Sequence, residues 1–142
     1  MEPLKDKKRH VCSLVLYSVT DGVFSYFLQK RGKDAPTNPD KFGLFGGGLE
    51  DGETAEEALL REMEEELEYK PQKHAYFSRY ENSNRVYEVF LEEVDADFAS
   101  RVTVHEGQYG KFLSAQKVAT LEDVGSMTRL IIREVDQYLA QK

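Results

Sequence analysis

The sequence predicts a single α/β domain, a mixed β-sheet packed by helices. Two stretches, 54–67 and 127–140, carry apolar residues at helical spacing, and alternating strand-like runs lie on both sides of the first. A chain of 142 residues also suits one core.

Taken in order, 11–19 is rich in Val and Leu and 23–29 in Phe and Tyr. Thr20-Asp21-Gly22 lies between them, so the pair reads as a hairpin. The polar stretch 30–41, with two prolines, reads as a loop. Residues 42–45 form a short apolar piece, and Gly46-Gly47-Gly48 is expected to be irregular backbone. Thr54 with Glu57 makes a capping box for the helix 54–67, and Ala55, Leu59, Met63 and Leu67 form its apolar stripe. Residues 73–81 and 85–94 read as strands around the turn 81–84. Short strands are expected at 102–105 and 111–113, flanking Glu106-Gly107-Gln108-Tyr109-Gly110, with a helical turn within 114–121. The helix 127–140 is expected to turn Leu130, Ile131, Val135, Tyr138 and Leu139 inward.

Composition narrows the function classes. A net charge of −7 argues against binding nucleic acid or an anionic membrane, although a small anionic substrate remains compatible if metal ions bridge it to carboxylates. No apolar run is long enough to cross a membrane, and residues 1–10 lack the apolar centre of a signal peptide. The single cysteine, Cys12, rules out an internal disulfide and suits a reducing cytoplasm; within its apolar run it reads as a small buried hydrophobe. A cytoplasmic protein is therefore expected.

The chemistry is carried by one helix. Glu62, Glu65 and Glu66 are spaced i, i+3, i+4 and share a face, where they repel one another. An acidic stripe alone is most often a solvated face, but a hard divalent cation would turn the repulsion into binding. The surroundings favour the cation. Gly47 is followed by Glu53 after five residues, then by Arg61-Glu62-Met63 after seven more, then by Glu65-Glu66.

This spacing resembles the box of the Nudix hydrolases: six of its seven fixed residues are present, with apolar Met63 and Tyr69 at the hydrophobic positions. The departure is Glu68, where the family usually has a Gly that closes the helix with positive φ. The helix is therefore expected to run slightly further or to end by a different turn. Upstream, Phe42-Gly43-Leu44-Phe45-Gly46-Gly47 resembles the family's Trp-x-x-Pro-Gly-Gly segment. Downstream, the Glu106 loop resembles that of the MutT-like branch, which hydrolyses oxidised dGTP.

The resemblance implies a Nudix α/β/α sandwich around a mixed β-sheet, spanning 1–142 as one Nudix hydrolase domain. It implies Mg²⁺, with Mn²⁺ as a substitute, held by Glu62, Glu65, Glu66, the Gly46 carbonyl and Glu106. Glu65 or Glu66 would take the proton from the attacking water, with Glu106 as the rival base. Arg31 falls where many members place a phosphate-contacting Arg, although a surface Arg in a basic loop is an equal alternative. Gly47, Glu53 and Arg61 would support the site, with Arg61 paired to Glu53. His105 reads as an exposed loop residue.

The substrate implied first is a (deoxy)nucleoside triphosphate such as dGTP or 8-oxo-dGTP, cleaved to the monophosphate and pyrophosphate. A nucleotide sugar or dinucleoside polyphosphate is the second choice, and a non-catalytic nucleotide-sensing module the third. The base pocket would draw on Tyr17, Tyr26, Tyr80, Tyr87 and the final helix. The partner implied is a small-molecule nucleotide, with no nucleic acid or membrane, and a homodimer is compatible.

Overall fold

The computed structural model describes residues 8–142; the reading of the charged N-terminus as no signal peptide bears largely on residues 1–7, outside that range. Eleven elements follow one another among the described residues: β1 (Arg9–Thr20), β2 (Val23–Lys30), β3 (Phe42–Gly43), β4 (Phe45–Gly48), α1 (Ala55–Leu67), β5 (Ala75–Glu81), β6 (Arg85–Glu93), α2 (Phe98–Arg101), β7 (Tyr109–Ser114), α3 (Ala115–Thr120) and α4 (Ser126–Ala140).

β1 is the spine of the seven-stranded mixed sheet. One edge pairs in parallel with β6 from Arg9 to Tyr17. The other edge is shared: β2 pairs antiparallel from Leu16 to Thr20, and β4 pairs antiparallel from Val11 to Leu14. β7 extends the sheet beyond β2, and β5 beyond β6. Both faces of β1 are covered, which explains its unbroken Val/Leu run.

Alternation along the strands feeds two cores. Val15, Val89 and Leu91 pack with Val118 of α3 and with Ile131, Ile132, Val135 and Leu139 of α4. Cys12, Leu14 and Leu16 pack with Ala58, Leu59, Met63 and Leu67 of α1 and with Phe98 of α2. The element order implies a mixed sheet packed by helices, and the two cores give the α/β/α layering that the resemblance implies.

Three local expectations are corrected. Gly46–Gly48 is not irregular: it forms most of β4, because backbone without side chains can pair closely with β1 while leaving room for α1. Residues 102–105 form no strand; the backbone hydrogen bonds of this stretch go to the end of α1, from Thr103 N–H to Leu67 O (3.4 Å) and from His105 N–H to Glu66 O (2.8 Å). The short helix α2 stands just before it. On α4, Tyr138 is exposed and Leu130 half-buried, while Ile132 takes the inward place. Tyr138 instead packs edge-on against Phe77 at the rim.

Candidate active site

α1 begins as its sequence dictates. Thr54 accepts from the Glu57 N–H, Glu57 accepts from the Thr54 N–H, and the capping box fixes where the helix starts. Its inner stripe is buried as expected except that Ala55 is only half-buried, and one polar residue joins it: Glu66, at 1% exposure. The far end departs from expectation. Glu68 itself adopts the left-handed conformation (φ 53°, ψ 43°). Its N–H reaches Glu64 O at 3.0 Å, and the Tyr69 N–H reaches Met63 O at 3.2 Å. The helix thus ends as it would with Gly, at a strain cost of about 1 kcal/mol.

The glycine strand lies directly against this helix. A Cβ at Gly47 would stand 2.5 Å from the Glu62 carboxylate, and one at Gly46 would stand 2.0 Å from the Cys12 carbonyl oxygen. Gly46 also has φ +148°, which side-chain-bearing residues rarely adopt. Gly46→Ala should therefore cost on the order of 1–3 kcal/mol from the backbone alone, read as a lowered thermal midpoint. A midpoint equal to wild type would show that β4 can retreat from β1.

Arg61 ties the loop to the helix. Its Nε and Nη2 donate to the two Glu53 oxygens (2.8 and 2.9 Å), and Nη2 also donates to Gly48 O at 3.0 Å. Nη1 donates to Glu62 at 3.0 Å and to Glu65 at 3.4 Å. The expected Arg61–Glu53 pair is present, and it holds the Glu53 carboxyl down at about 2, through the Arg61 hydrogen bonds first.

Above the glycines opens a cavity of about 500 Å³ lined by Gly46, Gly47, Gly48, Glu62, Glu66, Glu106 and Arg31, among others. Glu66 accepts from the Gly46 N–H at 3.2 Å, while its Oε2 is buried without any hydrogen-bond partner. Burial, then the neighbouring Glu62 and Glu106, raise its pKa strongly. Glu106 is also raised, by burial first and then by Glu62, with Arg31 opposing. Arg31 is anchored by Thr37, its Nε donating to the backbone oxygen at 2.8 Å.

The structure thus gathers Glu62, Glu66, Glu106, Arg31, Gly46 and Gly47 around one space. It does not bring Glu65 to the lining: that side chain is exposed and turned toward Arg61. As they lie, no three acidic, His or Cys side chains among the described residues stand close enough to enclose an ion. Of the four candidate tyrosines only Tyr87 lines the cavity, with Met127, Thr128 and Ile131 of α4. Tyr26 is buried and donates to Asp136, and Tyr80 donates to Glu134. Cys12 is buried as expected, and burial pushes its thiol up to about 11.

Sequence reasoning missed Arg9, Arg85 and Ser13 on the cavity wall. Arg9 and Arg85 are register partners on the parallel β1–β6 pair. The period-two pattern puts Arg9, Val11 and Ser13 on one face, and Arg85 with Tyr87 likewise. Only the pairing of the two strands joins them.

An α/β/α sandwich with an acidic helix against a glycine strand defines a class of domain, and comparison with known proteins places it. The NUDIX domain model matches residues 7–134, and the chain belongs to that family. It is similar to the nucleoside triphosphatase NudI of Enterobacter sp. (strain 638), 51% identical over 43 residues, a stretch covering 30% of this chain and 30% of that protein. The match therefore spans under a third of the relative's length.

Two solved structures share the fold. The NUDIX domain of Shewanella oneidensis NrtR, in complex with ADP ribose, superposes with a TM-score of 0.76 at 14% identity, covering 98% of this chain and 93% of that one. The MutT protein of Methanosarcina mazei Go1 gives 0.69 at 23% identity, covering 94% and 97%. No helix among the described residues is long and apolar enough to cross a membrane.

Proposed function

We propose that this chain is a Nudix hydrolase that cleaves a phosphoanhydride bond with Mg²⁺, acting first on a (deoxy)nucleoside triphosphate such as dGTP or 8-oxo-dGTP. The products are the monophosphate and pyrophosphate. The observation that carries this reading is the buried, unpartnered Glu66 oxygen, facing a cavity that Glu62 and Glu106 also line.

An orphaned carboxylate oxygen among further hard oxygen donors fits a hard divalent cation. Glu62, Glu66, Glu106 and the Gly46 carbonyl would hold it, and Glu65 would join them only on turning away from Arg61. Bound there, Mg²⁺ or Mn²⁺ offsets charge on phosphate oxygens and lowers the pKa of the attacking water.

The chain's own groups do the rest. Arg31, with its Nε fixed on Thr37, presents its remaining donors to phosphate. Tyr87, Met127 and Ile131 offer the nucleoside an apolar wall, with Arg9 and Arg85 supplying donors at its edge. Glu65 or Glu66 accepts the proton from water, with Glu106 as the alternative base. Every acid of the box is present, which favours an enzyme over a nucleotide sensor.

One feature favours a second reading. Past Arg31 the cavity adjoins a cleft of about 410 Å³ lined by Gln29, Lys33, Asp34 and Glu106, room for a group on the far side of the diphosphate. A nucleotide sugar or dinucleoside polyphosphate would use it.

A Mg²⁺ substrate panel that distinguishes phosphate, pyrophosphate and sugar phosphate separates the readings. Pyrophosphate from dGTP is expected, and Glu106→Gln should lower kcat by roughly tenfold or more with little change in KM. Full activity in that variant, with no pyrophosphate from any nucleoside triphosphate, sinks the first reading.

A further inference from the structure

We infer that Glu68, the residue that departs from the family box, is a positioning residue that acts through His105 to hold Glu106 over the cavity. The inference rests on the hydrolase reading above for its effect on turnover, but not for its effect on the loop.

Residues 102–106 form no strand and depend on other elements for their placement. Two backbone bonds stitch the stretch to the end of α1, from Thr103 to Leu67 and from His105 to Glu66. The Glu68 carboxylate adds the side-chain contact of this seam, meeting His105 Nε2. The next residue is Glu106, whose side chain lines the cavity beside Glu62 and Glu66. On its other side the loop turns through Gly107 at φ +77°, packed against the Lys30 carbonyl. Glu106 is thus held between a glycine turn, where Gln29 Nε2 donates to the Glu106 carbonyl (3.4 Å), and the His105 seam, where the Glu68 contact adds to the backbone bond.

A Gly at 68 would close the helix with less strain but could not reach His105. The left-handed conformation at the end of α1 sends the Glu68 side chain toward the incoming loop, so the backbone strain and the contact come together. Strain held in place by a contact beside a cavity points to positioning. Displacing Glu106 by an ångström would spoil its alignment with a reacting group without emptying the binding site.

The test uses the full chain with three variants: Glu68→Gly, Glu68→Gln and His105→Ala. Amide hydrogen exchange at residues 103–107 should speed up in Glu68→Gly and His105→Ala, and stay near wild type in Glu68→Gln, which keeps an acceptor for the imidazole. With the best substrate from the panel, Glu68→Gly should lose about tenfold in kcat at unchanged KM, while its melting temperature stays at or above wild type because the strain is relieved. A purely structural role would move turnover and melting together. The double variant Glu68→Gly/His105→Ala should be no slower than either single one.

Unchanged exchange in the loop, or multiplying losses in the double variant, overturns the inference. If no nucleotide is hydrolysed by wild type, the hydrolase reading fails, while the exchange rates still decide whether Glu68 holds the loop.

Discussion

Glu66→Gln is expected to remove turnover and, at the same time, to stabilise the metal-free protein. The first effect follows from losing a buried charge proposed to hold the cation, and should reach roughly two orders of magnitude or more. The second follows from the site's electrostatics. Glu66 is 1% exposed, its Oε2 has no partner, and Glu62 and Glu106 stand nearby. Its pKa in the fold is raised above the value of 4.5 in the unfolded chain. A raised folded pKa means that the native state keeps the proton more tightly. Its stabilising contribution is complete below 4.5 and is lost as pH rises toward the folded value.

Metal-free wild type should therefore melt progressively lower as pH rises from about 5 to about 8, with a shallower fall in Glu66→Gln. Mg²⁺ should reverse the loss in wild type by binding the native state, by about 2.7 kcal/mol at ~100 times its Kd, and more so at the upper end of that range. In Glu66→Gln the Mg²⁺ response should largely vanish. Near-normal turnover in this variant, or melting that ignores millimolar Mg²⁺ in wild type, would remove the proposed metal site.

Arg61→Ala should produce a clear loss of stability. One guanidinium satisfies both Glu53 oxygens, the Gly48 carbonyl and a Glu62 oxygen, all within 3.0 Å. Deleting it leaves the Glu53 and Glu62 carboxylates and a carbonyl without their shared donor, a loss that denaturant titration can read. Arg61→Lys should recover little, because an ammonium cannot match the forked contact with Glu53.

The pH dependence runs opposite to that of Glu66. The Glu53 pKa is lowered to about 2 from 4.5, so its contribution is present above 4.5 and disappears as pH falls through about 2. The gap between wild type and Arg61→Ala should narrow over that window. Turnover should fall too, since Gly48 and Glu62 lose a shared anchor. Wild-type stability in Arg61→Ala would mean that water replaces the guanidinium at no cost.

Much of the fold was legible because the relevant forces are local. The capping box placed the start of α1 at Thr54, the Asp21-Gly22 turn placed the β1–β2 hairpin, and the Asn82 turn placed β5 and β6. Where the sequence reading went wrong, distant contacts had decided the outcome. Gly46–Gly48 has no strand propensity of its own, yet β1 supplies hydrogen-bond partners and α1 sets the Glu62 carboxylate where a Gly47 Cβ would displace it. Residues 102–105 alternate like a strand, but the open backbone groups at the end of α1 claim their amides first. Leu130 and Tyr138 fit the apolar stripe of α4, but the direction of the sheet face decided that Ile132 goes inward instead.

By itself the sequence determined the acidic helix, because helical spacing brings residues three and four positions apart together wherever the helix packs, while the family and the Arg61–Glu53 pair were legible only through the resemblance of the box. Only the tertiary structure decided which acids meet. It buries Glu66, leaves Glu65 on the rim beside Arg61, and brings Glu106 across from a loop forty residues further along the chain. It also sets Arg9 beside Arg85 through a parallel pairing that no local pattern announces. Parallel neighbours are joined by a long crossover, and the choice of partner is made by burial of both sheet faces rather than by any turn between them.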